Sequence, residues 1–163
     1  MAAWRDVVDS APDFAQRVQA IMDAHLHKTI ATLRADGAPR ISGIEATFAD
    51  GQLWFGSMQD ARKGRDLRRD PRFALHSASV SPPKGEESAW AGDAKLSGRA
   101  AQITDPDELA ASWRLLGVAP DPDSELFRAD IAEVVLTRVG DPADHLVIEL
   151  WRPGHPLQRI ERR

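Results

Sequence analysis

The sequence predicts a mainly β (α+β) protein, in which six or seven antiparallel strands form a small barrel with two or three helices packed outside it. Three observations carry this expectation. Short runs of β-branched, aromatic and alternating residues recur at close spacing along the chain. Two of the gaps between them hold Asp36-Gly37 and Asp50-Gly51, and Asp-Gly supplies the positive φ that tight hairpin turns require. A chain of 163 residues is also long enough to bury one hydrophobic core, which sets the expectation of a single domain over residues 1–163.

Taken in order, residues 1–9 read as a loose lead-in. Ser10 and Pro12 open an amphipathic helix that places Phe14, Val18, Ile21 and Met22 on one face. Strand-like runs follow at 29–33, 41–48 and 53–55, joined by the two Asp-Gly turns, so the expectation is an antiparallel meander. Residues 60–70 then read as a short helix with Asp60 as N-cap, ended by Pro71, because the residue before a proline avoids helical geometry. Residues 73–78 form the next expected strand and 82–88 a mobile polar loop. A strand at 94–103 leads to Thr104-Asp105-Pro106-Asp107, a helix start that puts Leu109, Trp113 and Leu116 on the buried side before Gly117 ends it. Residues 118–129, rich in Pro and Asp, read as irregular. Closing strands are expected at 131–139 and 145–151.

Composition removes several kinds of function. There is no cysteine, which excludes disulfides, thiolate catalysis and zinc–thiolate sites. A net charge of −4 argues against a general nucleic-acid or membrane-surface binder. The N-terminal residues lack the pattern of a secretory signal and no apolar run reaches the length of a membrane span, so a cytoplasmic location is the default expectation. His25, His27, His76, His145 and His155 form no metal-ligand spacing, and no metal is expected. Dinucleotide-binding and Walker glycine loops are absent, as is a nucleophile elbow.

The most informative stretch is the helix start at Arg62 and Lys63. Cations in a first turn oppose the helix dipole, and the arrangement makes sense where an anion sits against the free N–H groups. An anion seat is one reading; a solvated, Arg-rich helix face is the other. Arg65 is the best secondary contact among the remaining arginines of the helix.

Three stretches together resemble the pyridoxamine 5′-phosphate oxidase-like superfamily of flavin-binding split β-barrels. They are Gly37-Ala38-Pro39-Arg40-Ile41-Ser42; Phe55-Gly56-Ser57 with Ala61-Arg62-Lys63, Leu67 and Asp70-Pro71-Arg72-Phe73-Ala74-Leu75; and Ile148-Glu149-Leu150-Trp151-Arg152-Pro153-Gly154 with Gln158-Arg159-Ile160-Glu161-Arg162. The resemblance spans roughly residues 25–163 and implies a Greek-key split barrel. It also implies a homodimer with one FMN in each of two clefts at the subunit interface, and a flavin-dependent oxidoreductase acting on a small organic substrate. By the resemblance, Arg62 and Lys63 would hold the phosphate. Arg40, Ser42, Glu45, Gly56 and Ser57 would border the ribityl chain and ring, with Gly43 admitting close approach. Trp151 and Arg162 or Arg163 would approach the flavin across the interface. No catalytic residue is named, since the ring itself carries the hydride.

This sequence departs from the vitamin B6 oxidases at Glu45, where they carry a lysine, and at Arg159-Ile160-Glu161, where they carry a basic tail. An acid at both positions would repel a substrate phosphate, which speaks against pyridoxamine 5′-phosphate oxidation itself. The 61–71 stretch equally resembles relatives that use the deazaflavin coenzyme F-420, so deazaflavin-dependent reduction stays open. So does a flavin-binding protein without turnover.

Overall fold

The structure, a computed structural model, describes residues 2–163. One antiparallel sheet of eight strands runs in the order β3-β2-β1-β4-β5-β6-β7-β8, and β3 also pairs with β6. The extra pairing closes β1 to β6 into a six-stranded barrel and leaves β7 and β8 outside it. The strands are β1 (His27–Leu33), β2 (Pro39–Ala49), β3 (Gln52–Met58), β4 (Arg72–His76), β5 (Asp93–Gln102), β6 (Ser124–Val139), β7 (Leu146–Trp151) and β8 (Gln158–Arg162). Four helices decorate it: α1 (Trp4–Ser10), α2 (Pro12–Asp23), α3 (Arg62–Arg69) and α4 (Pro106–Leu115).

The hairpin chemistry acts as the sequence predicts. Asp50 (φ 49°) and Gly51 (φ 66°) form the two-residue connection between the paired Ala49 and Gln52, a turn whose twist matches that of the strands it joins. Alternation then sorts the side chains. Ile44, Ala46, Leu53 and Phe55 point into the barrel with Ile30, Leu75, Leu96 and Phe127. Phe55 packs edge-on to Phe73 at 5.2 Å and stacks on Phe127 at 5.9 Å.

β6 is the longest strand and serves two sets of neighbours. Its first half pairs with β3, Trp54 facing Arg128 and Met58 facing Ser124. Its second half carries β7, Val134 facing Trp151 and Val139 facing Leu146. The register against β5 shifts between Ser97 and Gly98, so that Ala132 is the extra residue of a bulge. A Cβ on Gly98 would collide with the Asp130 backbone carbonyl, so glycine is required there.

Four expectations are corrected. Residues 1–9 are no loose lead-in where described: α1 buries Trp4 and Val7, and the Trp4 ring lies 4.4 Å from that of Phe48. The backbone beside it is tied down by Arg5 N–H donating to Gly51 O at 2.9 Å and Ile131 N–H donating to Ala2 O at 2.8 Å. The stretch 118–129 is only partly irregular, because β6 begins at Ser124. An eighth strand, β8, forms on β7 although all of its residues are exposed. Asp60 does not cap α3: it sits in the left-handed region (φ 58°), and Ala61 occupies the N-cap with no side-chain hydrogen bond. Asp105, by contrast, caps α4 at the helix start that the sequence marks, accepting from the Asp107 and Glu108 N–H groups at 3.1 and 2.9 Å.

Candidate functional site

A cleft of about 470 Å³ lies on the outer flank of the barrel. Outward-facing residues of β2 and β3 make its floor, among them Gly43, Glu45 and Gly56, and the C-terminal part of α4 with Val118 walls one end. At the other end stand Ser57 and Lys63, where β3 runs into α3. A Cβ on Gly43 would meet nothing within 4 Å, so the missing side chain leaves open room in the floor.

The start of α3 has the features of an anion seat. Its N-cap offers no side-chain acceptor and its first turn holds no acid; the first intrahelical N–H is that of Arg65, bonded to Ala61 O at 3.0 Å. The N–H groups of Arg62, Lys63 and Gly64 therefore lack intrahelical partners. Gly64 allows α3 to lie tightly on the barrel, since a Cβ there would strike the Glu125 carboxylate and approach Ser57 Oγ to 3.2 Å. Lys63 Nζ is aimed across the cleft and donates to Gly43 O at 2.7 Å. Burial holds the Lys63 ammonium below the ordinary lysine pKa, and the negative charge of Glu45 offsets part of that effect.

The position of α3 is fixed from beneath by Asp66, which is 3% exposed. Its Oδ2 accepts from Arg40 Nε at 2.6 Å and Thr32 Oγ1 at 2.9 Å, and its Oδ1 accepts from Arg69 at 3.2 Å. Burial alone would raise the Asp66 pKa, but the three hydrogen bonds and the Arg40 charge outweigh it and the carboxyl lies below its ordinary value. On the other side Arg68 binds Glu125 and reaches Asp60 at 3.4 Å. Glu125 Oε2 is buried with no hydrogen-bond partner among the described residues.

The structure brings Glu45, Gly56, Ser57 and Lys63 together in the cleft, with Gly43 between them. Arg62 is exposed in the first turn of α3, and Arg65, also exposed, stands 3.8 Å from Asp60. Arg40 and Ser42 lie on β2 but do not line the cleft; Arg40 is committed to Asp66. Trp151 does not join them either. It is 2% exposed in the main core, and its Nε1 donates to Ser10 Oγ at 2.8 Å, tying β7 to the end of α1. Arg162 is exposed on β8, opposite Leu146, and Arg163 lies 3.8 Å from Asp144.

Sequence reasoning missed His27, Thr47 and Ser124, which also line the cleft, and named neither Trp54 nor Trp113, which line it as well as pack, among the site residues. The two tryptophans do both: with Ile103 and Leu126 they form a small second core under α4 while exposing edges to the cleft. Glu125 was hidden because its segment reads as irregular. The outward alternation of Gly43, Glu45 and Thr47 was the available signal for Thr47.

A closed six-stranded barrel with two outer strands, flanked by a glycine-floored cleft that ends at an uncapped basic helix start, defines a split-barrel protein. Residues 14–138 match the family model described as pyridoxamine 5′-phosphate oxidase, and the chain belongs to that family. No curated protein matches its sequence. Among solved structures it is similar to PhzG from Burkholderia lata 383, in complex with tetrahydrophenazine-1-carboxylic acid, at 17% identity and a TM-score of 0.61 over 94% of this chain and 93% of that one. It is also similar to General Stress Protein 26 from Bacillus anthracis str. Sterne, at 16% identity and a TM-score of 0.57 over 84% and 96%. An F420 reductase aligns at 18% identity and a TM-score of 0.50 over 71% and 94%. These likenesses are of fold. No described helix is long and apolar enough to cross a membrane.

Proposed function

We propose that the protein is an oxidoreductase that holds FMN in the β2–β3 cleft and transfers hydride between it and a small organic substrate. The observation that carries this reading is a cleft floored by Gly43 and Gly56 and lined by Ser57 and Lys63, where β3 runs into the uncapped, acid-free first turn of α3. The donor set suits a phosphate: an ammonium, the exposed guanidinium of Arg62, backbone N–H groups and the Ser57 hydroxyl. Each charge-assisted bond of this kind contributes about 1.5–3 kcal/mol. The open floor at Gly43 suits the flat side of a ring system.

A flavin bound there would supply the two-electron chemistry, and the chain would supply position, desolvation and charge. In this reading Lys63 and Arg62 anchor the phosphate, Glu45 sets the polarity of the cleft wall, and Trp54 and Trp113 close one side against water. Met58, at the lip of the cleft and 75% exposed, is the surface that a second copy of the chain would cover in a homodimer. In such a dimer Arg162 or Arg163 of the outer hairpin would approach the partner's cleft.

The deazaflavin coenzyme F-420 is the second reading, favoured by the Glu45 carboxylate beside Lys63, which weakens the seat for a doubly charged phosphate monoester. Absorption spectra of the purified protein titrated with FMN and with F-420 separate the two. Saturable binding of FMN, lost in the Arg62→Ala/Lys63→Ala double variant with the fold retained, is the expected result. Binding of F-420 alone moves the activity to deazaflavin-dependent reduction. Stoichiometric FMN retained by the double variant refutes the seat.

A further inference from the structure

A second and larger cavity, of about 790 Å³, opens beside α2 and shares no lining residue with the β2–β3 cleft. One wall is the C-terminal half of α2, with Ala20, Ile21 and Ala24. The other is the 78–92 segment, with Val80 and Trp90, and Arg138 near the end of β6 completes it. Its volume falls in the range of small-molecule sites, roughly 300–1,000 Å³.

The wall is built in place. Ser77 N–H donates to Ala94 O at 2.9 Å, and Ser88 Oγ donates to Gly140 O at 2.6 Å, so both ends of the segment are fastened to the sheet. A 3-10 turn at Glu87–Ala89 presents Trp90. Gly92, at φ 107°, lets the backbone pass so close to Thr137 and Arg138 that a Cβ would collide with the Thr137 carbonyl. That close passage brings the Trp90 side of the wall up to the arginine.

The charge in the cavity has one sign. Its charged lining residues are Arg17 and Arg138, and no carboxylate lines it among the described residues. Arg17 is already committed to Glu149, through bonds of 2.5 and 2.7 Å. Arg138 is not: its only hydrogen bond is a long one, 3.4 Å, to the neighbouring Val139 carbonyl, and it forms no ion pair within 4 Å among the described residues. The two carboxylates whose charges couple to it are engaged elsewhere, Glu149 by Arg17 and Glu161 by Arg159 at 3.0 Å. A half-buried guanidinium without an ion-paired acid, in an apolar cavity that an indole also lines, is complementary to a carboxylate carried on a flat apolar body.

We propose that this cavity is a second ligand site, which binds an aromatic carboxylate with its acid on Arg138 and its ring against Trp90 and the α2 face. The inference is independent of whether the β2–β3 cleft holds a flavin.

Isothermal titration of the cofactor-free full chain with 2-naphthoate, and with the neutral 2-naphthalenemethanol, tests it. Saturable binding of the acid, at least about tenfold tighter than the alcohol, is expected. Arg138→Gln should weaken the acid about tenfold or more and leave the alcohol within about twofold. Ala20→Trp, at an exposed helical position that only fills the cavity, should abolish both, with circular dichroism unchanged. The proposal is overturned if 2-naphthoate gives no saturable heat to millimolar concentration or if the acid and alcohol bind equally. It is likewise overturned if Ala20→Trp leaves binding intact, or if Gly43→Leu, which blocks the other cleft, is the variant that removes it.

Discussion

Replacing Asp66 by alanine tests what holds α3, and with it the proposed anion seat, on the barrel. The wild-type carboxylate is almost fully buried and accepts from Arg40, Thr32 and Arg69, so the substitution removes three hydrogen bonds and strands the Arg40 guanidinium, whose side chain is only 18% exposed. Breaking a buried pair by removing one partner costs about 3–5 kcal/mol. Arg40 retains some access to water, which places the expected loss at the lower end, about 3 kcal/mol. With a urea m-value of about 2 kcal/mol/M, the unfolding midpoint should fall by about 1.5 M. The double variant Asp66→Ala/Arg40→Met should regain at least about 1 kcal/mol, because the orphaned charge goes with its partner. A midpoint shift under about 0.5 M in the single variant, or a double variant less stable than the single, would refute the reasoning.

Three further outcomes are expected. Gly98→Ala forces a Cβ into the Asp130 carbonyl at the β5–β6 bulge, and a backbone clash of about 3 kcal/mol should lower the melting temperature by roughly 6–12 °C; a shift under about 2 °C would show that the bulge relaxes freely. Gly43→Leu meets open space, so it should leave the melting temperature within about 2 °C while abolishing FMN binding in a spectral titration; flavin bound at wild-type affinity would place it elsewhere. Glu149 is held below its ordinary pKa mainly by the Arg17 hydrogen bonds, and a depressed carboxylate stabilises the fold above its unfolded pKa and ceases to do so as pH falls through the folded one. The stability gap between wild type and Glu149→Gln should therefore be full at pH 7 and shrink below about pH 4; denaturation curves that stay parallel to pH 3 would contradict this.

The parts of the fold legible in the sequence were those specified locally. Asp50-Gly51 and the alternation from Ile41 to Phe48 set a turn and a strand face, and Asp105-Pro106 set a helix start, each within a few residues. What was not legible rests on distant partners. Trp4 and Val7 make α1 worth forming only because Phe48 and the β2–β3 turn stand opposite. β8 carries no buried residue and exists through its backbone ladder with β7. The first half of β6 was masked by the Pro/Asp-rich approach to it, which also hid Glu125. In the candidate site, Lys63, Ser57, Gly56 and Glu45 fall on one cleft because strand, turn and helix follow one another directly in the chain. Trp151, which the resemblance would bring to a cleft shared by two subunits, lies in the core of its own chain and donates to Ser10 Oγ.

The double duty of β6 limits how this chain can change length. Its residues 124–128 are locked to β3 and 134–139 to β7, while β5 spans both halves. Because strand side chains alternate, dropping one residue between Ser124 and Ala129 would turn Leu126 and Phe127 to the wrong faces and detach the barrel seam from the outer hairpin in a single step. Length variation among sequences sharing this architecture should therefore collect in the connections, within 118–122 and 141–144, and spare the sixteen residues of the strand between them.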